Sequence, residues 1–252
     1  MAKTKAPQVT EESSALDAYE GQGYEGANSK LPMLKIVHLT AEEVTDGTAK
    51  AGDFINTATK TVYAKHIDLI VLKAQRAWTV WAPESAGGGF KGKYPVGSFP
   101  ISGDFYNRAN PAVTGAGDEV REVLELYCLD PDHLDEGPFL FSLKGDSIKH
   151  GDNLVGKIRV TKRPNGAVPP IWGSVWRLTT QLNKKLIGGK PTSWYTFGEG
   201  KSTAVEFQRW IVNAEVPQVK ENYDFVISTT KLVAPMQTQE RAQIAGPEDA
   251  PF

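Results

Sequence analysis

Cysteine is almost absent from this chain. Cys128 stands alone among 252 residues, which excludes an internal disulfide and a cysteine-built zinc site and fits a reducing compartment. Its expected role is that of a small apolar residue in a strand. Long apolar runs are missing too. Nothing approaches the roughly 20 apolar residues of a spanning helix, and residues 1–30 contain no stretch resembling a signal peptide. The four histidines, His38, His66, His133 and His150, are scattered without metal-ligand spacing. A net charge of −2 at pH 7 removes any overall basic excess, so affinity for nucleic acid would have to come from uneven charge placement. No membrane, no metal and no cofactor is expected.

Enough apolar material is present for one large domain or two small ones, since 40% of residues are hydrophobic. Residues 1–30 read as a disordered arm: Glu11, Glu12, Asp17, Glu20 and Glu25 outnumber three lysines, and large aliphatic residues are few. Residues 31–232 read as the folded domain, and residues 233–252 as a flexible acidic tail.

Within the domain, strands are expected at 34–39, in a hairpin over 53–64, in one long or bent strand over 66–81, and at 120–129 and 138–144. Two more are expected at 171–180 and 192–198, joined by a basic turn containing Lys184, Lys185 and Lys190. Residues 41–52 read as a polar turn and 84–117 as a long Gly- and Pro-rich loop. Helices are expected at 146–159, weakened by Gly151 and Gly156, at 202–214, and at about 217–230. Many short strands with a few helices favour a mainly β fold, an OB-fold-like β-barrel with disordered tails.

Two phosphate-binding patterns fail on context. Gly87, Gly89 and Gly92 fit a dinucleotide fingerprint, but no helix follows them. Gly151, Gly156 and Lys157 mimic a phosphate loop, but Ile158 stands where a hydroxyl must hold magnesium. The acidic stretch around His133, from Asp130 to Glu136, reads as a solvated loop. No nucleophile–base arrangement is discernible, so an enzyme is not expected.

Charge is strongly polarised along the chain. Between Phe141 and Lys201, eleven basic residues face three acidic ones, a net of +8. Aromatic residues are interleaved with them. Aromatic faces stack on unpaired bases while Lys and Arg follow the backbone, and a duplex hides its base faces, so the combination points to single strands. The candidate contacts are Arg76, Trp78, Phe90, Lys91, Lys93, Tyr94, Phe105, Tyr106 and Arg108 in the first half of the domain. In the second half they are Lys157, Arg159, Lys162, Arg163, Arg177, Lys184, Lys185, Trp194 and Tyr195. Trp172, Trp176 and Trp210 are expected in the core.

The chain ends Gly246-Pro247-Glu248-Asp249-Ala250-Pro251-Phe252. This resembles the terminal peptide of bacterial single-stranded DNA-binding proteins, and those of T7-like phages also end in acids and a final Phe. The resemblance implies a docking tail: the Phe252 ring in an apolar pocket, its α-carboxylate on a basic residue, and Glu248, Asp249 and Pro251 alongside. A broader set, Leu31-Pro32, Gly52-Asp53-Phe54-Ile55-Asn56, Trp78 and Trp81, Phe141-Ser142-Leu143-Lys144, and Trp172 and Trp176, resembles a group of phage proteins suspected of binding single-stranded DNA. Together these imply a phage replication or recombination protein of the host cytoplasm, binding single-stranded DNA and recruiting polymerase, helicase or primase through its tail. A homodimer is left open. The competing class is a virion structural or assembly protein with a β-rich body.

Overall fold

The computed structural model describes residues 31–107, 110–187, 190–197 and 205–232. The terminal arm and tail expected from the sequence, with Glu248, Asp249, Pro251 and Phe252, lie outside the described residues, as does Arg108.

The organising element is β4, His66–Trp81. Its composition is rich in Ile, Leu, Val and Trp, which suits a pleated, half-buried surface. It pairs antiparallel with β8, Glu119–Leu129, from Ile70↔Leu129 to Trp81↔Glu119, with a register shift between Val71 and Lys73. The shift bends a strand that would otherwise run straight for roughly 53 Å. On β8 follows β9, Phe139–Lys144, antiparallel, and on β9 the parallel β1, Met33–Ile36. Then come β2, Phe54–Asn56, and β3, Val62–Tyr63. On the other side of β4 lies β10, Ser174–Ile187, which pairs with β11, Lys190–Phe197, and with β12, Val205–Trp210. The fold is mainly β, and the sheet curls into a half-barrel.

Three corrections to the sequence expectations concern this sheet. The long loop at 84–117 contains β5, Phe90–Pro95, paired along the far half of β4, and the short strands β6, Ile101–Ser102, and β7, Val113–Thr114. Residues 205–210 form β12 and not a helix, because they pair with β10 from Leu178↔Val205 to Ser174↔Trp210, with one register shift between Val175 and Trp176. Lys184 and Lys185 sit within β10 and Lys190 opens β11, so the connection spans only residues 188–189. A short helix α1, Glu42–Thr45, also lies in the stretch expected to be a turn.

The core fills the concave side. Leu34, Phe54, Leu126, Phe141, Trp176, Leu178 and Phe197 are fully or nearly fully buried there. Helix α2, Ser147–Val160, closes it with Ile148, Leu154 and Ile158. Gly151 stands where the helix meets the sheet. A Cβ there would stand 2.5 Å from Leu143 Cδ1 and 2.6 Å from Leu124 Cδ2, so a larger residue would have to displace both buried leucine side chains. Helix α3, Val216–Thr229, starts with Pro217 in its first turn and buries Val219 and Val226. Lys73 Nζ donates to Thr230 O at 3.0 Å and to Thr230 Oγ1 at 2.9 Å, satisfying one carbonyl and one hydroxyl at the end of α3. Among the described residues no helix is long and apolar enough to cross a membrane.

Candidate nucleic-acid interface

The candidate residues fall into two regions with opposite electrostatic character. The first surrounds the far end of β4. Trp78 is only 7% exposed and packs against Phe99 and Phe105, at ring distances of 5.2 and 5.9 Å. Tyr94 meets Phe99 edge-on at 5.6 Å. Trp78, Tyr94, Phe99 and Phe105 thus build a second small core with Val80, Ala112 and Val120, and their faces are spent on one another. The aromatic loop is a folded lobe, organised by β5, and only Phe90 and Tyr106 remain well exposed.

The cations of this region are matched by carboxylates. Arg76 bonds Glu122 at 2.8 Å and Asp152 at 2.5 Å. Burial alone would lower its pKa, but these two hydrogen bonds raise it. Lys91 pairs with Asp118 at 2.6 Å, and Lys93 pairs with the buried Glu125, which also accepts from Tyr127 Oη at 2.9 Å. Outside this region, at the start of β4, Arg177 on β10 is matched in the same way: it makes a two-pronged contact with Asp68 at 2.7 and 2.8 Å that raises its pKa. A cation already neutralised by a fixed carboxylate offers little to a phosphate.

The second region is different. From Asn153 to Phe197 the chain carries eight Lys and Arg residues and no Asp or Glu. This run includes the end of α2, the connection to β10, and the β10–β11 pair. Beyond Thr180, β10 pairs only with β11, and the two extend as a two-stranded arm, Thr180↔Phe197 at its base and Ile187↔Lys190 at its tip. Seven residues of rise make it roughly 23 Å long.

Alternation sorts the arm's side chains. Leu182, Lys184 and Leu186 share one face with Tyr195, Ser193 and Pro191. That face continues the core side, since Phe197 at its base is fully buried. Tyr195 also belongs to the base, its ring lying against Gly52. Thr180 Oγ1 donates to Gly52 O at 2.5 Å beside it, which ties the arm to the opposite margin of the half-barrel. The other face presents Asn183, Trp194, Lys185, Thr192 and Lys190. Asn183 Nδ2 donates to Thr196 Oγ1 at 2.7 Å. Trp194 is partly exposed and has no ring partner among the described residues. Lys185 is diagonal to it across the ladder, within reach of the same ligand.

The end of α2 adds charge near the arm's root. Lys157 Nζ donates to Val205 O at 2.9 Å, and Arg163 sits 5.9 Å from the Trp210 ring on β12. Arg159, Lys162, Lys184, Lys185 and Lys190 are exposed and carry no ion pair among the described residues. The structure therefore gathers Lys184, Lys185, Trp194 and Tyr195 on the arm, sets Lys157 near its base through Val205, the partner of Leu178, and leaves Arg163 at the other end of β10, beside Trp210, the partner of Ser174. Arg76, Phe90, Lys91, Lys93 and Tyr106 belong to the first region. Lys190, expected in a basic turn but not among the candidate contacts, and Asn183 join the arm: a strand taken to stop at residue 180 hides the alternation that aligns them.

The acidic stretch near His133 is a structural turn. Asp130 accepts from Tyr63 Oη at 2.7 Å and from the Asp132 amide at 2.9 Å. No group of three or more metal-binding side chains occurs among the described residues. Cys128 is fully buried within β8, and burial raises its thiol pKa.

A family model described as Pam3 phage gp34-like protein matches residues 2–206. No curated protein and no solved structure matches the chain.

Proposed function

The chain belongs to the Pam3 phage gp34-like family, and on that premise we propose that it is a phage single-stranded DNA-binding protein, acting in DNA replication or recombination in the host cytoplasm. The observation that carries this is the outer face of the β10–β11 arm. There a partly exposed Trp194 stands beside Lys185 and below Lys190, in a stretch of 45 residues without a single acid. An unshared indole face accepts a base of any sequence, and unpaired lysines neutralise successive phosphates. Arg159 in the last turn of α2 and Lys162 just beyond it are further exposed cations for the same backbone. Binding is sequence-tolerant, because nothing in this set reads base edges, and the protein performs no chemistry of its own.

The terminal peptide through Glu248, Asp249, Pro251 and Phe252 serves as the docking site for polymerase, helicase or primase. The Phe252 ring suits a partner's apolar pocket, and Glu248 and Asp249 suit its basic rim.

The test is a titration of the full chain with oligo-dT, duplex DNA and RNA at two salt concentrations, read by mobility shift and by tryptophan fluorescence. Quenching by oligo-dT that weakens steeply with salt, and is lost in Trp194→Phe, is the expected result. Absence of both shift and quenching at low salt rejects the proposal. Deletion of residues 246–252 leaves DNA binding intact or tighter and removes partner recruitment.

A further inference from the structure

The arm's inner face has no use in that DNA contact. Leu186 is 70% exposed and Leu182 42% exposed, with Lys184 between them and Pro191 opposite Leu186. An apolar strip of this kind on a projecting two-stranded ribbon is unusual for a surface that faces only water. Lys184 has no ion pair among the described residues.

A surface complementary to this strip exists elsewhere on the molecule. The turn at Leu134–Glu136 and helix α3 enclose a groove of about 360 Å³. Leu134, Pro138 and Phe225 supply its apolar lining, and Phe225 is itself 43% exposed. Asp135 and Glu221 supply carboxylates, and neither has an ion pair among the described residues. No cation lines the groove. Strip and groove thus match in both respects: aliphatic residues around a free ammonium on one, apolar residues flanked by free carboxylates on the other.

We infer that the inner face of the arm of one molecule docks into the groove between the Leu134–Glu136 turn and α3 of a second copy. Leu182 and Leu186 enter the apolar part, and Lys184 meets Glu221 and Asp135. The two surfaces are different patches of the same chain, so the contact is head-to-tail. Such a contact need not close, and it propagates into an open row of subunits. The outer faces of the arms, with Trp194, Lys185 and Lys190, remain free along that row.

Sedimentation velocity of the full chain without DNA tests this independently of any nucleic-acid binding. At low salt the protein forms species that grow with concentration without a fixed limit, and high salt shortens them. Leu186→Asp, Lys184→Glu and Glu221→Lys each return it to monomers, with circular dichroism confirming that each variant is folded. Mixing the Lys184→Glu and Glu221→Lys variants restores association, because each then offers the partner charge the other lacks. A wild-type chain that stays monomeric, a closed dimer of fixed size, or association indifferent to all three substitutions overturns the inference.

Discussion

The ring of Tyr195 rests on Gly52, so closely that a Cβ at residue 52 would stand 2.6 Å from Tyr195 Cε1. Gly52 also has φ +91°, a left-handed conformation that L side chains rarely adopt. Its carbonyl accepts from Thr180 Oγ1. This contact joins the connection between β1 and β2 to the base of the arm. Gly52→Ala is therefore expected to lower stability by about 1–3 kcal/mol through backbone strain and the displaced ring. Part of that loss is relieved in a Gly52→Ala, Tyr195→Ala double variant. Urea midpoints of the four proteins check it: strictly additive losses would show that ring and glycine do not meet.

Two tryptophans that look alike in sequence should behave oppositely. Trp78 is interior, its ring enclosed by Phe99 and Phe105. Trp78→Ala empties a large cavity and is expected to cost about 3–5 kcal/mol of stability. Trp194 lies on the arm's outer face, and Trp194→Ala should leave the melting temperature almost unchanged. If the arm binds single strands, the same substitution weakens oligo-dT affinity by about 1–3 kcal/mol. A Trp194 variant that unfolds, or that binds oligo-dT as well as the wild type, would remove this residue from the interface.

The fold was largely legible where the pattern was local. The composition of residues 66–81 marks β4, and the turn residues after Asn56 mark the β2–β3 hairpin. It was illegible where a distant partner decides. Residues 205–210 space their apolar side chains in a way that also suits a helix, and only the ladder on β10 makes them a strand. Gly92 and Pro95 disguise β5 as loop, though β4 holds it along its length. The candidate site split for the same reason. Arg76 looks like a free cation until the fold brings up Glu122 and Asp152, 46 and 76 positions away. Lys185 has no ion pair among the described residues, in keeping with the long acid-free run around it.

Alkaline pH should destabilise the protein. Burial, then the hydrogen bond to Asp130, raises the pKa of Tyr63 above its ordinary 10.0. Burial, then the charge of Glu125, does the same for Tyr127, and burial raises Cys128 above 9.0. In each case the folded protein holds the proton that the unfolded chain releases. Their contribution is fully present below the unfolded values and is lost as pH rises through the folded ones. Lys73, lowered from 10.5 by burial, acts in the other direction but is one group against three. The urea midpoint is expected to hold from pH 7 to 9 and to fall between pH 9.5 and 11. Tyr63→Phe should flatten part of that fall. A midpoint that rises over the same range would show Lys73 to dominate.

Salt dependence separates the unpaired cations from the paired ones. Each phosphate of a single strand neutralised by a side chain contributes about 0.7 to the slope of log affinity against log salt. Lys185 is exposed and carries no ion pair among the described residues, so Lys185→Ala should weaken single-strand binding uniformly across sequences and reduce the slope by about 0.7. Arg177 is engaged with Asp68. Arg177→Ala releases a carboxylate as it removes a cation, and its slope should stay at the wild-type value. Lys93→Ala should act on stability instead. It strands Glu125, whose side chain is 2% exposed, with Tyr127 as its remaining hydrogen-bond donor, at a cost of about 1–3 kcal/mol. Mobility shifts over a salt series, run beside thermal melts, distinguish the three. Equal slopes for Lys185→Ala and wild type would place the phosphate path away from the arm, whereas a reduced slope for Arg177→Ala would mean that Asp68 releases its partner when DNA arrives.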